Sequence, residues 1–226
     1  MSHRPHGGAR IAVPSVVLLI LLALLAIPGE GRTRPRALTI LYFNDIHGHL
    51  EPWRPEGNGG PEVGGIARIA TIANRVRREN RAAGRATILL VAGDVLQGTP
   101  MSAVFQGEPD VAAFNRMGVD AMAIGNHEFD FGQTNLRKLI GLARFPVLSA
   151  NVFCDDNRPM AQAAAVLEPM PGLRIGVLGL TTVDTPTTTF PTNVSGLRFD
   201  DPVVTARHAV PVLESQCDLV VALTHI

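Results

Sequence analysis

Short apolar runs alternate with longer mixed segments from residue 37 to residue 226, and this alternation predicts the fold class. Each run is rich in Ile, Val, Leu and Ala, which is typical of a buried strand. The predicted strands are residues 37–43, 86–92, 121–124, 146–150, 164–168, 173–180 and 218–223. The predicted helices are residues 64–81, 110–117, 133–143 and 201–215, the last with Pro211 inside it. Strands that alternate with helices indicate an α/β protein with a covered sheet.

The first residues have the layout of an export signal. Residues 1–10 are polar and basic, residues 11–27 are apolar, and Pro28 and Gly29 follow them. We expect residues 1–29 to be a signal peptide or an uncleaved N-terminal anchor, joined by a linker, 30–36, to the rest of the chain. The protein is therefore expected to be exported and to be periplasmic, extracellular or membrane-anchored. Contact with a membrane is expected only through this segment.

Charge and cysteine content exclude several classes of protein. Lys and Arg number 20, and Asp and Glu also number 20, so the formal net charge is zero. This balance argues against a strongly basic binder of nucleic-acid polymers. We expect the partner to be a small molecule and the protein to be a monomer. Cys154 and Cys217 are too few for a disulfide-rich scaffold. An exported compartment allows them to pair, but packing as two small, buried and unpaired residues is favoured.

Residues with metal-binding side chains follow four of the predicted strands. Functional groups in α/β proteins collect at the carboxyl ends of strands, so four such ends on the same edge of one sheet would converge on one site. The side chains are Asp45 and His47 after the first strand, Asp94 after the second, Asn126 after the third and His225 after the last.

These donors suit two divalent cations. Oxygen and nitrogen ligands without thiolate favour Mn, Zn, Co, Fe or Mg. Asp45 and His47 are alternate residues leaving a strand, so both can face one metal. Asp94 has two carboxylate oxygens and can bridge two metals, with Asn126 and His225 on the second. Two adjacent metals lower the pKa of a shared water and clamp a phosphoryl group.

The motifs that carry these residues resemble one family. In chain order they are ILYFNDIHGHLEP, VAGDVLQGTP, AIGNHEFDFG, LSANV and VVALTHI. Their order and spacing resemble the calcineurin-like metallophosphoesterases, in particular the exported bacterial 5′-nucleotidase, UDP-sugar hydrolase and 2′,3′-cyclic-nucleotide phosphodiesterase family. The resemblance implies an αββα four-layer sandwich over residues 37–226. It also implies that this catalytic domain is truncated before its last strands and that a C-terminal nucleotide-binding domain is absent.

The resemblance assigns a role to each site residue. Asp45 and His47 would bind the first metal, Asp94 would bridge, and Asn126 and His225 would bind the second. A hydroxide that bridges the metals would attack the phosphate. The implied catalytic residues are His127, which would stabilise the transition state or protonate the leaving oxygen, and Asp130, which would orient its imidazole. The family supplies further ligands after the segment that matches THI.

The implied activity is hydrolysis of nucleotides for scavenging. Nucleoside 5′-monophosphates are the expected substrates, with cyclic nucleotides and UDP-sugars as close alternatives. Two other hypotheses stay open: a thiosulfate-ester hydrolase of the same superfamily, and a non-catalytic metal-binding fragment. Glu128 is expected to support the site or start a helix, rather than to act as a general base, and His49 to be a loop residue. For Asn151 a supporting role and a purely structural one are equally open.

Overall fold

The computed structural model describes residues 37–55 and 59–226. The predicted signal or anchor, 1–29, and the linker, 30–36, lie outside the described residues. Within the described ranges, no helix combines the length and the apolar character that a bilayer-spanning helix needs.

The strands form two main sheets. The first is parallel, with the order β1 (Leu38–Phe43), β2 (Ala86–Val91), β3 (Ala121–Ala123) and β4 (Val147–Leu148). The second has the order β6 (Ala164–Met170), β7 (Leu173–Thr181) and β9 (Leu219–His225). The strands β6 and β7 form an antiparallel hairpin, and β9 runs parallel to β7. A short antiparallel pair, β5 (Val152–Cys154) and β8 (Leu197–Phe199), was not predicted.

The four predicted helices are present within a few residues of their expected bounds. They are α1 (Ile66–Ala82), α3 (Glu108–Met117), α4 (Gly132–Leu142) and α6 (Pro202–Glu214). Asp201 starts α6, because its side chain accepts hydrogen bonds from the N–H groups of Val203 and Val204. Four short elements were missed: α2 (Pro100–Phe105), α5 (Thr185–Thr188) and the 3₁₀ turns His127–Phe129 and Pro191–Val194.

The layers confirm the expected αββα sandwich. Alternate residues of β2 face opposite ways: Ile88 and Leu90 pack against the second sheet, and Leu89 and Val91 pack under the helices α1, α3 and α4. On the outer side of the second sheet, α6 packs against Leu178 and its neighbours. Because both faces of such a strand are buried, its sequence is continuously apolar.

The two sheets come into close backbone contact at Gly179 of β7. A Cβ at this position would overlap with Leu148 of β4, and the Gly179 carbonyl accepts a hydrogen bond from the Ala150 N–H at 2.8 Å. Only glycine allows the backbones to come this close. The approach brings the carboxyl end of β9 beside that of β2.

Cys154 and Cys217 are unpaired, as favoured from the sequence. Each is half-buried rather than buried. The Cys154 sulfur accepts a hydrogen bond from Arg137 at 3.1 Å.

Asp110 is a buried carboxyl in the first turn of α3. It has no exposed surface, and neither carboxylate oxygen has a hydrogen-bond partner in the described chain. Burial, together with the nearby charge of Glu128, raises the pKa of Asp110 to about 7. The folded state therefore holds this proton between about pH 4 and pH 7, whereas the unfolded state releases it. The free energy of unfolding is therefore higher when Asp110 is protonated, and it falls as the pH rises through this window.

We predict that Asp110→Asn stabilises the protein at pH 8 but not at pH 4.5. The amide has a similar shape and no charge, so the variant escapes a penalty of up to about 4 kcal/mol at high pH. Urea unfolding at the two pH values measures the difference. Asp155→Asn, at an exposed position, is the control and should change the free energy of unfolding by less than about 0.5 kcal/mol. An Asp110→Asn effect that does not vary with pH would contradict the prediction.

Candidate metal centre

The turns that follow β1, β2 and β3 are hydrogen-bonded to one another around Asp94. The Asp45 N–H donates to the Gly93 carbonyl at 3.2 Å, and the His47 N–H donates to the Asp94 carbonyl at 3.3 Å. From the third turn, the His127 N–H donates to the Asp94 carboxylate at 3.0 Å. Direct hydrogen bonds therefore join the turns at the ends of these three strands.

Asp94 lies at the centre of a cluster of ligand-type side chains. Its own side chain is only 6% exposed. Two sets of possible ligands share it, and within each set the ligand atoms lie within 4.8 Å of one another. The sets are His47, Asp94 and His127, and Asp45, Asp94 and His225. Asp94 is thus the residue common to both sets, and a role as a bridge between two cations stays a prediction.

The grouping differs from the predicted one in two respects. By distance, Asp45 groups with His225 and Asp94. It is also near its expected partner, since Nε2 of His47 lies 3.7 Å from an Asp45 oxygen. Distance also brings His127 into a set, although the resemblance makes it a catalytic residue rather than a ligand. Asn126 begins the 3₁₀ turn directly before His127 and is half-buried.

Backbone carbonyls orient two of the imidazoles. Nδ1 of His225 lies 2.8 Å from the Ala92 carbonyl, and Nδ1 of His47 lies 3.3 Å from the Leu96 carbonyl. Because a carbonyl oxygen only accepts, each Nδ1 carries the proton and donates it. Nε2 of each ring is therefore the nitrogen available to a metal, which is the usual arrangement in metal sites.

His225 and Asp94 form a direct pair. Nε2 of His225 lies 3.0 Å from an Asp94 carboxylate oxygen. This hydrogen bond raises the pKa of His225 to about 9, against the opposing effect of burial. Burial by itself would raise the pKa of Asp94, but the hydrogen bonds and charges of His225 and His127 outweigh it and the pKa is lowered. Their attraction holds the two side chains together.

His127 has a different partner. Its Nδ1 lies 2.6 Å from the Asp130 carboxylate, and its Nε2 lies 4.0 Å from an Asp94 oxygen. Partial burial lowers the pKa of His127, but the Asp130 hydrogen bond and the nearby carboxylates outweigh it, so the pKa is raised. The pair has the expected form of an imidazole oriented by a carboxylate.

The hypothesis that all four strand ends belong to one sheet is wrong for His225. Its strand, β9, belongs to the second sheet, where His225 pairs with Thr181 of β7. The four strand ends therefore do not lie on the edge of one sheet. They converge because the close packing of the sheets brings the edge of each to the same place.

Asp45 and His47 are not in the expected extended conformation. The strand β1 ends at Phe43, and both residues have positive φ, 53° and 44°. Asp94 has a φ of 51°. Residues other than glycine adopt this left-handed region at a cost of roughly 1–2 kcal/mol each, and Asp and His adopt it more readily than most. Strain at three clustered ligand-type residues is typical of functional sites, and it supports the fit of this donor set to cations.

Glu128 holds the second and third turns together. It is fully buried, and its carboxylate accepts hydrogen bonds from the N–H groups of Asp94 (2.9 Å), Val95 (2.8 Å), Leu96 (3.4 Å) and Gly125 (2.6 Å). Burial and the charge of Asp94 raise its pKa, whereas the N–H donors lower it. The expectation of a supporting carboxylate is confirmed, although nothing in the sequence indicated these donors.

Two other residues near the motifs have structural contacts. His49 is an exposed loop residue, and its Nδ1 bonds to the Ile46 carbonyl at 2.9 Å. The fully buried Asn151 donates to the carbonyls of Thr181 and Asp200, both at 2.8 Å, and accepts from the Thr181 N–H. It fixes the end of β7 and contacts none of the ligand-type side chains through these bonds.

The fold and the site together define an αββα protein with a cluster of carboxylate and imidazole side chains, of the kind that can bind metals, where the edges of its two sheets meet. The chain belongs to the calcineurin-like phosphoesterase family, whose model matches residues 38–226. Members of this family bind divalent metal ions.

Named relatives agree with this assignment. The 5′-nucleotidase of Vibrio cholerae is 37% identical over 195 residues, which cover 83% of this chain and 33% of the relative. A crystal structure of a 5′-nucleotidase precursor from Thermus thermophilus is 36% identical, with a TM-score of 0.73 over 84% of this chain and 37% of the other. The chain spans about a third of the length of the curated relatives it matches.

The sulfate thiohydrolase SoxB of Thermus thermophilus shares the fold. The TM-score is 0.74, and the alignment covers 85% of this chain and 44% of the other. Only 22% of the residues are identical. This likeness shows the fold alone and does not favour the thiosulfate-ester hypothesis.

We predict that Glu128→Gln destabilises the protein by about 2–5 kcal/mol. The amide keeps one acceptor oxygen but points N–H groups at backbone donors, which leaves buried N–H groups unsatisfied. Urea unfolding measures the loss. Glu108→Gln, which removes an exposed ion pair with Lys138, should cost less than about 1 kcal/mol. Equal effects of the two substitutions would show that the buried contacts of Glu128 do not stabilise the turns.

We also predict that Gly125→Ala weakens the binding of Mn²⁺ by about tenfold or more, since a shift of about 1.4 kcal/mol suffices. Its Cβ would overlap with an Asp94 carboxylate oxygen and lie 2.7 Å from the Asp94 nitrogen. Gly141→Ala is the control, because a Cβ there meets nothing within 4 Å. Calorimetric titration with Mn²⁺ compares the two. Wild-type affinity in Gly125→Ala would mean that Asp94 can move without affecting the site.

Proposed function

We propose that this chain is the catalytic part of a metal-dependent phosphoester hydrolase that acts on nucleotides. The observation that carries the proposal is that two sets of ligand-type side chains share Asp94, and that His127, a member of one set, is paired with Asp130. The names of the 5′-nucleotidase relatives support nucleotides as the substrate class.

The proposed centre holds two divalent cations. Asp45, His47 and Asp94 hold the first, and Asp94, Asn126 and His225 hold the second. The strained backbone at Asp45, His47 and Asp94 supports this assignment. The carbonyl contacts of two histidines at Nδ1 support it as well, because they leave Nε2 as the metal-binding nitrogen. Cations held here supply Lewis acidity, which polarises the phosphoryl group and lowers the pKa of water.

His127 is the proposed proton donor. Its Nδ1 is held by Asp130, so Nε2 is the nitrogen that can reach an ester oxygen beside Asp94. When the phosphorus–oxygen bond breaks, Nε2 gives its proton to the departing alcohol. Asp130 acts through His127, because it fixes the tautomer of the ring and stabilises the imidazolium.

We further propose that the protein acts outside the cytoplasm and as a monomer. The polar, basic residues 1–10 and the apolar residues 11–27 support export. Nucleotides are charged and do not cross membranes unaided, so hydrolysis outside the cytoplasm is consistent with scavenging of the nucleoside.

Three variants test the proposal. Asp94→Asn should abolish the binding of Mn²⁺, measured by equilibrium dialysis. His127→Ala should retain Mn²⁺ and lower kcat for AMP by about 100-fold or more, because general acid catalysis is lost. His208→Ala is the control: His208 is exposed on α6, where its Nδ1 bonds to the Val204 carbonyl, and the substitution should change neither quantity.

The same experiment can contradict the proposal. Fewer than two equivalents of Mn²⁺ on the wild type would favour the non-catalytic fragment. Hydrolysis of AMP that persists in His127→Ala would reject His127 as the proton donor.

A further inference from the structure

The Asp130 carboxylate is held from two sides. One oxygen, Oδ2, accepts from Nδ1 of His127 at 2.6 Å, and the other, Oδ1, accepts from the Thr189 hydroxyl at 2.7 Å. The side chain of Asp130 is only 12% exposed. Because each oxygen has its own donor, rotation of the carboxylate away from His127 would also break the bond to Thr189.

The segment that carries Thr189 is anchored on Asp130. Thr189 follows α5 and has an extended backbone, and its N–H donates to the Thr185 carbonyl at 3.1 Å. Four residues later, the Asn193 amide donates to the backbone carbonyl of Asp130 at 2.8 Å. The segment therefore contacts both the side chain and the backbone of Asp130, which fixes the Thr189 hydroxyl in place.

The preceding threonines do not share this contact. The hydroxyls of Thr187 and Thr188 donate to the Asp184 carbonyl, at 2.8 Å and 3.2 Å, within their own turn. Of these three consecutive threonines, Thr189 alone has a bond that reaches the site. A chemically identical neighbour is thus available as a control.

We propose that Thr189 is a positioning residue for His127. Its hydroxyl fixes the orientation of the Asp130 carboxylate, which in turn fixes the direction in which Nε2 of His127 points. The inference rests on the proposed function, in which that nitrogen protonates the leaving oxygen. Sub-ångström placement of a proton donor matters because proton transfer needs hydrogen-bond distance in the transition state.

The proposal makes the need for Thr189 depend on the leaving group. The alcohol released from a nucleoside monophosphate is a strong base as its alkoxide and needs a proton as it departs. Nitrophenolate is a weak base and can depart without one. A residue that only stabilises the fold would affect both substrates alike.

The test compares AMP with p-nitrophenyl phosphate in three variants. Thr189→Val keeps the shape of the side chain and removes the hydroxyl, Thr189→Ser keeps the hydroxyl, and Thr187→Val removes a hydroxyl that does not reach the site. With Thr189→Val we expect kcat for AMP to fall by about tenfold or more, as part of the general acid contribution is lost. We expect kcat for p-nitrophenyl phosphate and the affinity for Mn²⁺ to stay at the wild-type level. Thr189→Ser and Thr187→Val should resemble the wild type.

A spectroscopic measurement tests the same contact without turnover. The proton on Nδ1 of His127 is identified in the metal-free protein by the resonance that His127→Ala lacks. In Thr189→Val this resonance should shift and exchange faster with water, since the carboxylate that holds it is no longer fixed. In Thr187→Val it should be unchanged.

Two results would overturn the proposal. Equal losses of kcat on both substrates, together with a lower Tm, would make Thr189 a structural residue only. Wild-type kcat for AMP and an unshifted resonance in Thr189→Val would show that Asp130 does not need it. If the wild type hydrolyses neither substrate, the proposed function fails, and the resonance still decides whether Thr189 positions the pair.

Discussion

The geometry of the site depends on one buried carboxylate. Removing a carboxylate from water costs several kcal/mol unless donors replace its hydration. Glu128 has replacement donors on two separate turns, at residues 94–96 and at Gly125. Because all of these bonds end on one rigid group, the turns that carry Asp94 and Asn126 cannot move independently. The spacing between these two residues is therefore fixed by the interior of the protein rather than by their own contacts.

The packing of the two sheets is a second constraint on the same site. His225 comes from the second sheet, but its Nδ1 donates to Ala92, which follows β2 of the first. The Thr181 hydroxyl, at the end of β7, likewise donates to the Ile124 carbonyl at 2.8 Å. These bonds connect the edges of both sheets. The distance between Asp94 and His225 thus depends on how closely the sheets approach, which the absent side chain of Gly179 permits.

Much of this arrangement could be predicted from the sequence, but only where neighbouring residues carry the pattern. Apolar runs indicate buried strands, so the main strands and the polar residues that follow them were predicted. The runs do not show which sheet a strand joins, and for that reason the hypothesis that all four strand ends lie on one sheet is wrong for β9. The left-handed backbone of Asp45 and His47 was missed because residues other than glycine rarely adopt it. The contacts of Glu128 with residues 94–96, and of Thr189 with Asp130, join residues distant in the chain and have no local pattern.

The partners of the imidazoles bear on the proposal that one cluster holds both metal ligands and a proton donor. Nδ1 of His47 and of His225 faces a backbone carbonyl, which fixes the tautomer without adding a full negative charge. Nδ1 of His127 faces the Asp130 carboxylate, which stabilises the charged ring. A ligand must be neutral to bind a cation, whereas a general acid must first hold the proton that it delivers. The carboxylate at Nδ1 of His127 supports its proposed role as the acid. A metal bound at Nε2 of His225 would have to displace the proton that its pair with Asp94 holds.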